Sequence, residues 1–267
     1  MGKNGIPSIV FAVFCCILSA YVVSGAPVHE AESNQALART TLEEYLSQCW
    51  KNFVASMSTG IPDMNIPTFD PWIGNGDFPF QVQESSIALR LEANATYVQS
   101  LGFSSVQIPV FVEDPVSASH NISLMLPDLN IQGTYYAMGT HHYFYPIIGS
   151  GQFDIILRDI RSNGTTNVLV NDNVISLTLV NLQPLMYGSA ASSYSGLSVS
   201  GVIGSDANYQ LIVNSLTEML WQQVEVQLRQ QLSVSVTDYL NAQLVGFQPS
   251  GDLRKKMILK EISKVLV

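Results

Sequence analysis

The sequence predicts an α+β fold in which a long C-terminal helix is wrapped by a highly curved antiparallel sheet, with a short amphipathic helix ahead of the sheet. Three patterns carry that expectation. Apolar residues first recur at helical spacing, from Leu42 to Met57. They then alternate at strand spacing between Phe78 and Leu182. From Leu216 to Leu244 they recur at every fourth position. The chain is 47% hydrophobic and only 12% charged, which points to surface buried around a filling or an interior cavity. Its formal net charge of −9 argues against a nucleic-acid partner, which needs clustered cations.

Residues 1–25 read as a secretory signal. Lys3 supplies the positive start, Ile9–Val23 the apolar run, and Val-Ser-Gly-Ala the small residues before a cut after Gly25 or Ala26. The run is short for a membrane span, so the mature protein is expected outside the cell. Cys15 and Cys16 leave with the signal. Cys49 is then the one cysteine of the mature chain, either a buried thiol or half of an intermolecular bridge, and no internal disulfide is expected. Three glycosylation sequons, at Asn94, Asn121 and Asn163, agree with secretion. The Ser-Asn-Gly-Thr around Asn163 reads as a hairpin turn.

The first helix places Leu42, Tyr45, Leu46, Cys49, Trp50, Phe53 and Met57 on one face, with Thr40 or Thr41 as its cap and Glu43 and Glu44 in its first turn. Gly60 and Pro62 end it. The joint that follows, GIPDMNIPTFDPWIGNG, is rich in residues that restrict or release φ. Beyond Phe78, segments such as SIALRLEANATYV and NVISLTLVNL alternate faces, with Ile87, Leu89 and Leu91 on one side of the first. Other runs, such as DIIL, are apolar on both faces, so part of the sheet is covered twice or strongly curved. Residues 187–206 are rich in Gly, Ser and Ala and read as a weak strand within a mobile connection.

In the long helix, about Asn208 to Leu244, the stripe Leu216, Leu220, Val224, Leu228, Leu232, Val236, Leu240, Leu244 advances about 400° per step. It therefore winds around the helix, which suits a partner that curves with it. The molecule is expected to be elongated along this helix. The Ser233–Thr237 run favours a kink or break. The domain is taken as residues 26–250. A basic amphipathic tail, 251–267, carries five cations against Asp252 and Glu261. Residues 254–267 of that tail suit contact with a membrane surface or a protein, or docking on the acidic body of the same chain.

No catalytic constellation or cofactor motif is found, and no metal site: no Gly-x-Ser-x-Gly, His-Glu-x-x-His or Cys-x-x-Cys. His141 and His142 are adjacent in a strand-like stretch, so their rings should face opposite ways. Asp63, Asp70 and Asp77 read as turn and capping residues. An apolar interior without reactive groups suits a carrier of a small hydrophobic ligand.

GIPDMNIPTFDP, LGFSSVQIP, SLMLPDLNIQGTYYAMGTHHYFYPIIGSGQFDIILRDI and VNSLTEMLWQQVEVQLRQQLSVSVTDYL resemble, in order, blocks of the insect takeout and haemolymph juvenile-hormone-binding family, over roughly residues 35–248. The resemblance implies a TULIP-type (BPI-like) α+β fold with an apolar tunnel. It also implies non-enzymatic binding of juvenile hormone, a terpenoid or a fatty-acyl compound. The family usually carries an N-terminal disulfide, and counting back from Gly60, Tyr45 stands where the second cysteine would fall. The pocket-lining candidates are Trp50, Phe53, Tyr143, Tyr145, Trp221, Val224 and Leu228, each of which reads equally well as core packing. The alternative function is a lipid- or membrane-surface-binding protein of the same superfamily, like its immune members or the mite group 7 allergens.

Overall fold

The computed structural model describes residues 42–107, 111–113, 119–171, 174–201, 206–245 and 247, all within the compact unit Thr41–Val267. The expected signal segment, the first helix's cap and the basic tail lie outside the described residues. The first helix, α1, spans Leu42–Ala55 and buries Leu42, Leu46, Cys49, Trp50 and Phe53, the apolar face that its spacing predicts.

The joint folds back under α1. Gly60 adopts φ +69, and a Cβ there would lie 2.8 Å from the Ile66 carbonyl oxygen, so a side chain at this corner would meet backbone. The Phe69 and Asp70 amides both donate to the Met57 carbonyl. The Asp70 carboxylate accepts from the Gly102 amide at 2.9 Å, the Ser104 amide at 3.0 Å and the Ser104 hydroxyl. Burial alone raises the Asp70 pKa, and the bonds from Ser104 and Gly102 outweigh it, so the group sits below the usual carboxylate range. Asp70 thus has the turn-and-capping role expected of it, and it ties the joint to the sheet.

Ten strands form the sheet: β1 (Trp72–Ile73), β2 (Phe78–Glu84), β3 (Leu89–Leu101), β4 (Phe111–Glu113), β5 (Ser119–His141), β6 (Tyr145–Asn171), β7 (Val174–Leu177), β8 (Asn181–Leu182), β9 (Ser189–Tyr194) and β10 (Leu197–Val199). Every pairing is antiparallel. Its spine is the β5–β6 hairpin, in one register from Ser119 opposite Asn167 to His141 opposite Tyr145. β3 and β4 flank the free edge of β5, and β1 and β2 pair with β3. The other edge of β6 carries β10, β9, β8 and β7 in turn.

Two local features shape this sheet. On β5 the buried positions run through His120, Ile122, Leu124 and Leu126, then shift parity to Leu129 and Ile131. On β6 they shift between Leu157 and Ile160. Both shifts fall at Pro127 and at Asp159, which has φ +54, so the hairpin turns a corner where proline withholds a ladder amide. A bulge between Thr96 and Gln99 places Tyr97 at φ +52 and adds twist to β3.

The expected hairpin turn at Asn163 is a correction. Ser162–Thr165 lies inside β6, with Asn163 opposite Ser123, because β5 pairs straight through it. A turn would strand those amides. The expected opposition of His141 and His142 is a second correction. His142 begins the β5–β6 turn at φ +46, which brings the two ring centroids to 5.1 Å.

The long helix, α2, runs Ala207–Leu244 without interruption. Ser233–Thr237 does not break it, because Ser233, Ser235 and Thr237 are buried where packing overrides propensity. The eight residues of the every-fourth stripe are buried. The backbone of α2 approaches β2 on one flank and β7, β8 and β9 on the other. Laid flat, β2–β3–β5–β6–β9 would span about 19 Å at roughly 4.8 Å per strand. A helix about 10 Å across reaches both flanks only because the sheet curls around it.

Candidate functional site

The interior between α2 and the sheet is closed on one side by a second helical stripe that lies beside the leucines. Thr217, Trp221, Glu225, Arg229, Thr237 and Asn241 also follow the step of four, and they bond to the chain that runs antiparallel to them. Asn241 accepts from the Leu177 amide at 2.7 Å and donates to the Leu177 carbonyl at 3.1 Å. Thr237 accepts from the Val180 amide at 2.9 Å. Glu225 accepts from the Leu185 amide at 3.1 Å and from Arg229 Nε at 2.6 Å, and Trp221 donates to the Leu185 carbonyl at 3.3 Å. Helix side chains therefore satisfy backbone groups of a sheet edge that would otherwise be buried without partners. The same arithmetic that exposes the leucine stripe exposes this one, shifted by one residue; it was hidden because its members share no polarity class.

Inside, aromatic groups gather at two places along α2. Toward its C-terminal end, Phe53 packs against Tyr239 with ring centroids 5.3 Å apart, against Trp50 at 5.8 Å and against Phe69 at 6.2 Å. Toward its N-terminal end, Tyr194 meets Tyr135 edge-on at 5.1 Å and Phe153 at 6.1 Å. The Tyr194 hydroxyl lies 3.2 Å from Thr217 Oγ1, which donates to Ser192 at 2.9 Å, and Tyr135 donates to the Ser195 carbonyl at 3.0 Å. Burial pushes the Tyr135 pKa up to about 12. Burial also raises that of Tyr194, against the lowering effect of its bond to Thr217. Both phenols are therefore neutral, and Tyr135 is a donor. Small residues make room for them: a Cβ on Gly149 would lie 2.8 Å from the Tyr135 ring and 2.9 Å from Leu197.

Of the candidate residues, Trp50, Phe53, Trp221, Val224 and Leu228 are buried. They do not form one cluster. Phe53 meets α2 at Tyr239, about 27 Å along the helix from Trp221 at roughly 1.5 Å per residue. Tyr143 is corrected here: it sits in the β5–β6 turn, 81% exposed at φ +70. Tyr145, 39% exposed, opens β6 on the strand face of Ile147 and Phe153 and stacks on the buried His141 at the end of the hairpin. The tyrosines buried in the interior are Tyr135, Tyr194 and Tyr239; the Gly-Thr-Tyr-Tyr and Ser-Ser-Tyr contexts of the first two gave no reason to prefer them.

Within the interior, Leu216, Val224 and Leu228 show no exposure. Open crevices lie on the outer surface. One of about 440 Å³ is lined by Tyr97, Gln99, Gln132, Thr134, Gln152 and Asp154. Another of about 440 Å³ lies between the joint and α2, against Asn65, Asn75, Gln227 and Gln231. Among the described residues no group of three or more His, Cys, Asp and Glu is placed to hold a metal, and no helix is long and apolar enough to cross a membrane.

Among solved structures, Takeout 1 of Epiphyas postvittana is similar at 13% identity and a TM-score of 0.46, over 74% of this chain and 92% of that one. A lipopolysaccharide binding protein is similar at 14% identity and a TM-score of 0.37, over 74% of this chain and 39% of that protein. No curated protein matches the sequence significantly. The model of the family described as haemolymph juvenile hormone binding protein matches residues 10–248. That span takes in α1, the whole curled sheet and all of α2, and the chain belongs to this family.

Proposed function

We propose that the protein is an extracellular, non-enzymatic carrier of a small hydrophobic molecule, such as a juvenile hormone, a terpenoid or a fatty-acyl compound, held between α2 and the inner face of the sheet. The supporting observation is the chemistry of that interior. Its walls are the apolar faces of β3, β5 and β6 and the leucine stripe of α2, with the neutral hydroxyls of Tyr194, Thr217 and Ser192 gathered at one end. Apolar burial at about 25 cal/mol per Å² supplies affinity, and the hydroxyls orient a carbonyl, ester or alcohol group. In this reading Trp50, Phe53, Trp221, Val224 and Leu228 line the binding space. The exposed Asn121 and Asn163 carry glycans in the secreted protein, while the half-buried Asn94 is the poorest acceptor of the three.

The test is native mass spectrometry of protein recovered by mild extraction, followed by titration with cis-parinaric acid. A mass increment from bound lipid, and probe fluorescence displaced by a terpenoid or a fatty acid, are expected. A bare polypeptide-plus-glycan mass together with no probe uptake overturns the reading.

A further inference from the structure

The tip of the β5–β6 hairpin presents an apolar surface that the interior does not use. The turn His142–Tyr143–Phe144 joins the paired residues His141 and Tyr145. Tyr143 is 81% exposed and Phe144 69%. On the outer face just behind them, Met138 and Ile148 are directly paired across the strands and are 53% and 55% exposed, with Tyr136 beside Met138. On the same face the Thr140–Pro146 pair, with Pro146 exposed, lies between the Met138–Ile148 pair and the turn.

Three further observations bear on its partner. His142 and Tyr143 both adopt positive φ, +46 and +70, a backbone that disfavours bulky residues, yet Tyr143 is left 81% exposed. Residues 129–153 contain no Asp, Glu, Lys or Arg, in a chain of net charge −9. The bordering charges are Arg90 and Glu92 on β3, of opposite sign and opposite Thr140 and Met138. Finally, the turn is anchored from behind: His142 N–H donates to the Ile87 carbonyl at 2.7 Å. Tyr145 stacks on His141 at 5.2 Å, and the His141 Nε2 lies 2.9 Å from the Ser200 carbonyl. The turn is thus held from behind while Tyr143 and Phe144 project.

We propose that this tip docks on the surface of an uncharged (zwitterionic) lipid bilayer, with Phe144 in the acyl boundary and Tyr143 at the headgroups. Rings with a polar end suit that boundary. A charge-free tip avoids the cost of desolvating ions. A second copy of the chain fits less well. The projecting rings and the Met138–Ile148 pair offer about 500 Å², short of the roughly 800 Å² per partner of a stable complex. The acidic body disfavours an anionic bilayer. The inference does not rest on the carrier reading, since it concerns residues outside the interior.

The test is flotation of the full chain with phosphatidylcholine vesicles, with and without added phosphatidylserine, alongside sedimentation without lipid. Binding to phosphatidylcholine that weakens as phosphatidylserine is added is expected. The double variant Tyr143→Ser/Phe144→Ser should bind about tenfold or more weakly, with unchanged thermal unfolding and parinaric acid uptake. Val234→Ser, at an exposed site on α2, should bind normally. Because Trp50, Trp72 and Trp221 are buried, Phe144→Trp adds one exposed indole, whose emission should shift to the blue on adding vesicles. The proposal is overturned if the native chain ignores phosphatidylcholine or if the double variant binds as well as the native chain. It is also overturned if the native chain is a dimer that the double variant dissociates. Failure of parinaric uptake in the native chain bears on the carrier reading alone.

Discussion

The Tyr45 hydroxyl donates a 2.8 Å hydrogen bond to the Gln243 carbonyl, joining α1 to the last turn of α2 across 198 residues. Carbonyls in that turn lack the regular helical amide partner; the Gln243 carbonyl also accepts from the Val245 amide at the cap, and the Tyr45 side chain adds a bond from another element. The Tyr45 ring also lies 4.6 Å from that of Phe247. The resemblance places a disulfide cysteine near this position. Here a phenol fastens α1 instead, through a long-range contact rather than a covalent one.

Tyr45→Phe should lower stability by about 1 kcal/mol, the net worth of one hydrogen bond. Tyr45→Ala should cost about 2–3 kcal/mol because the ring contact goes too. Urea unfolding measures both, and a Tyr45→Phe midpoint equal to the native one would show that the bond contributes nothing.

Cys49 is buried next to this contact. Burial raises its thiol pKa, and the hydrogen bond with Tyr45 only partly offsets that. The folded protein should therefore react slowly with Ellman's reagent at pH 8 and run as a monomer without reductant. Rapid labelling, or a dimer that reductant dissolves, would point to an intermolecular bridge.

Asp70 contributes through its charged form. Because its folded pKa is depressed, its contribution is complete above the ordinary carboxylate range, near pH 4, and is lost as the pH falls through the lower folded value. Asp70→Ala should cost about 1–2 kcal/mol at pH 7, with the difference from the native chain shrinking below pH 4. Thermal unfolding across that range checks it; a difference independent of pH contradicts the assignment.

Thr237→Val preserves shape but leaves the buried Val180 amide without its acceptor. A loss of about 1–3 kcal/mol is expected, and amide exchange at Val180 should speed up more than at neighbouring positions. Unchanged exchange at Val180 would mean that the latch of α2 onto the sheet edge does not hold this segment.

Arg229→Ala strips the counter-ion from Glu225, whose side chain is 8% exposed. With Arg229 itself partly open to water, the cost should be about 2–3 kcal/mol rather than the full value of a buried pair. Adding Glu225→Gln keeps an acceptor for the Leu185 amide and should recover most of the loss. A double variant no better than the single one would refute that account, as read by denaturant midpoints.

Much of the candidate interior was legible before folding. Trp50, Phe53, Val224 and Leu228 were singled out by helical spacing, and helix geometry alone fixes which of their neighbours share a face. Tyr143 was misplaced because a run of aromatics in a hairpin looks alike whether it forms the turn or the wall. The register of His141 against Tyr145 decides that, and register is a property of two strands. Asn163-Gly164 failed as a turn for the same reason, since its local preference yields to the ladder with β5.

The sequence by itself determined the two helices, the alternating strands, the rigid joint and the winding of the leucine stripe, because each is a periodicity imposed by backbone geometry within a few residues. Only the tertiary structure decided that Tyr135 and Tyr194 face inward while Tyr143 and Phe144 project. It alone decided that Tyr45 caps α2, and that the stripe beside the leucines latches the sheet edge. These depend on which distant backbone groups arrive without partners, and that is settled by the curl of the whole sheet around α2.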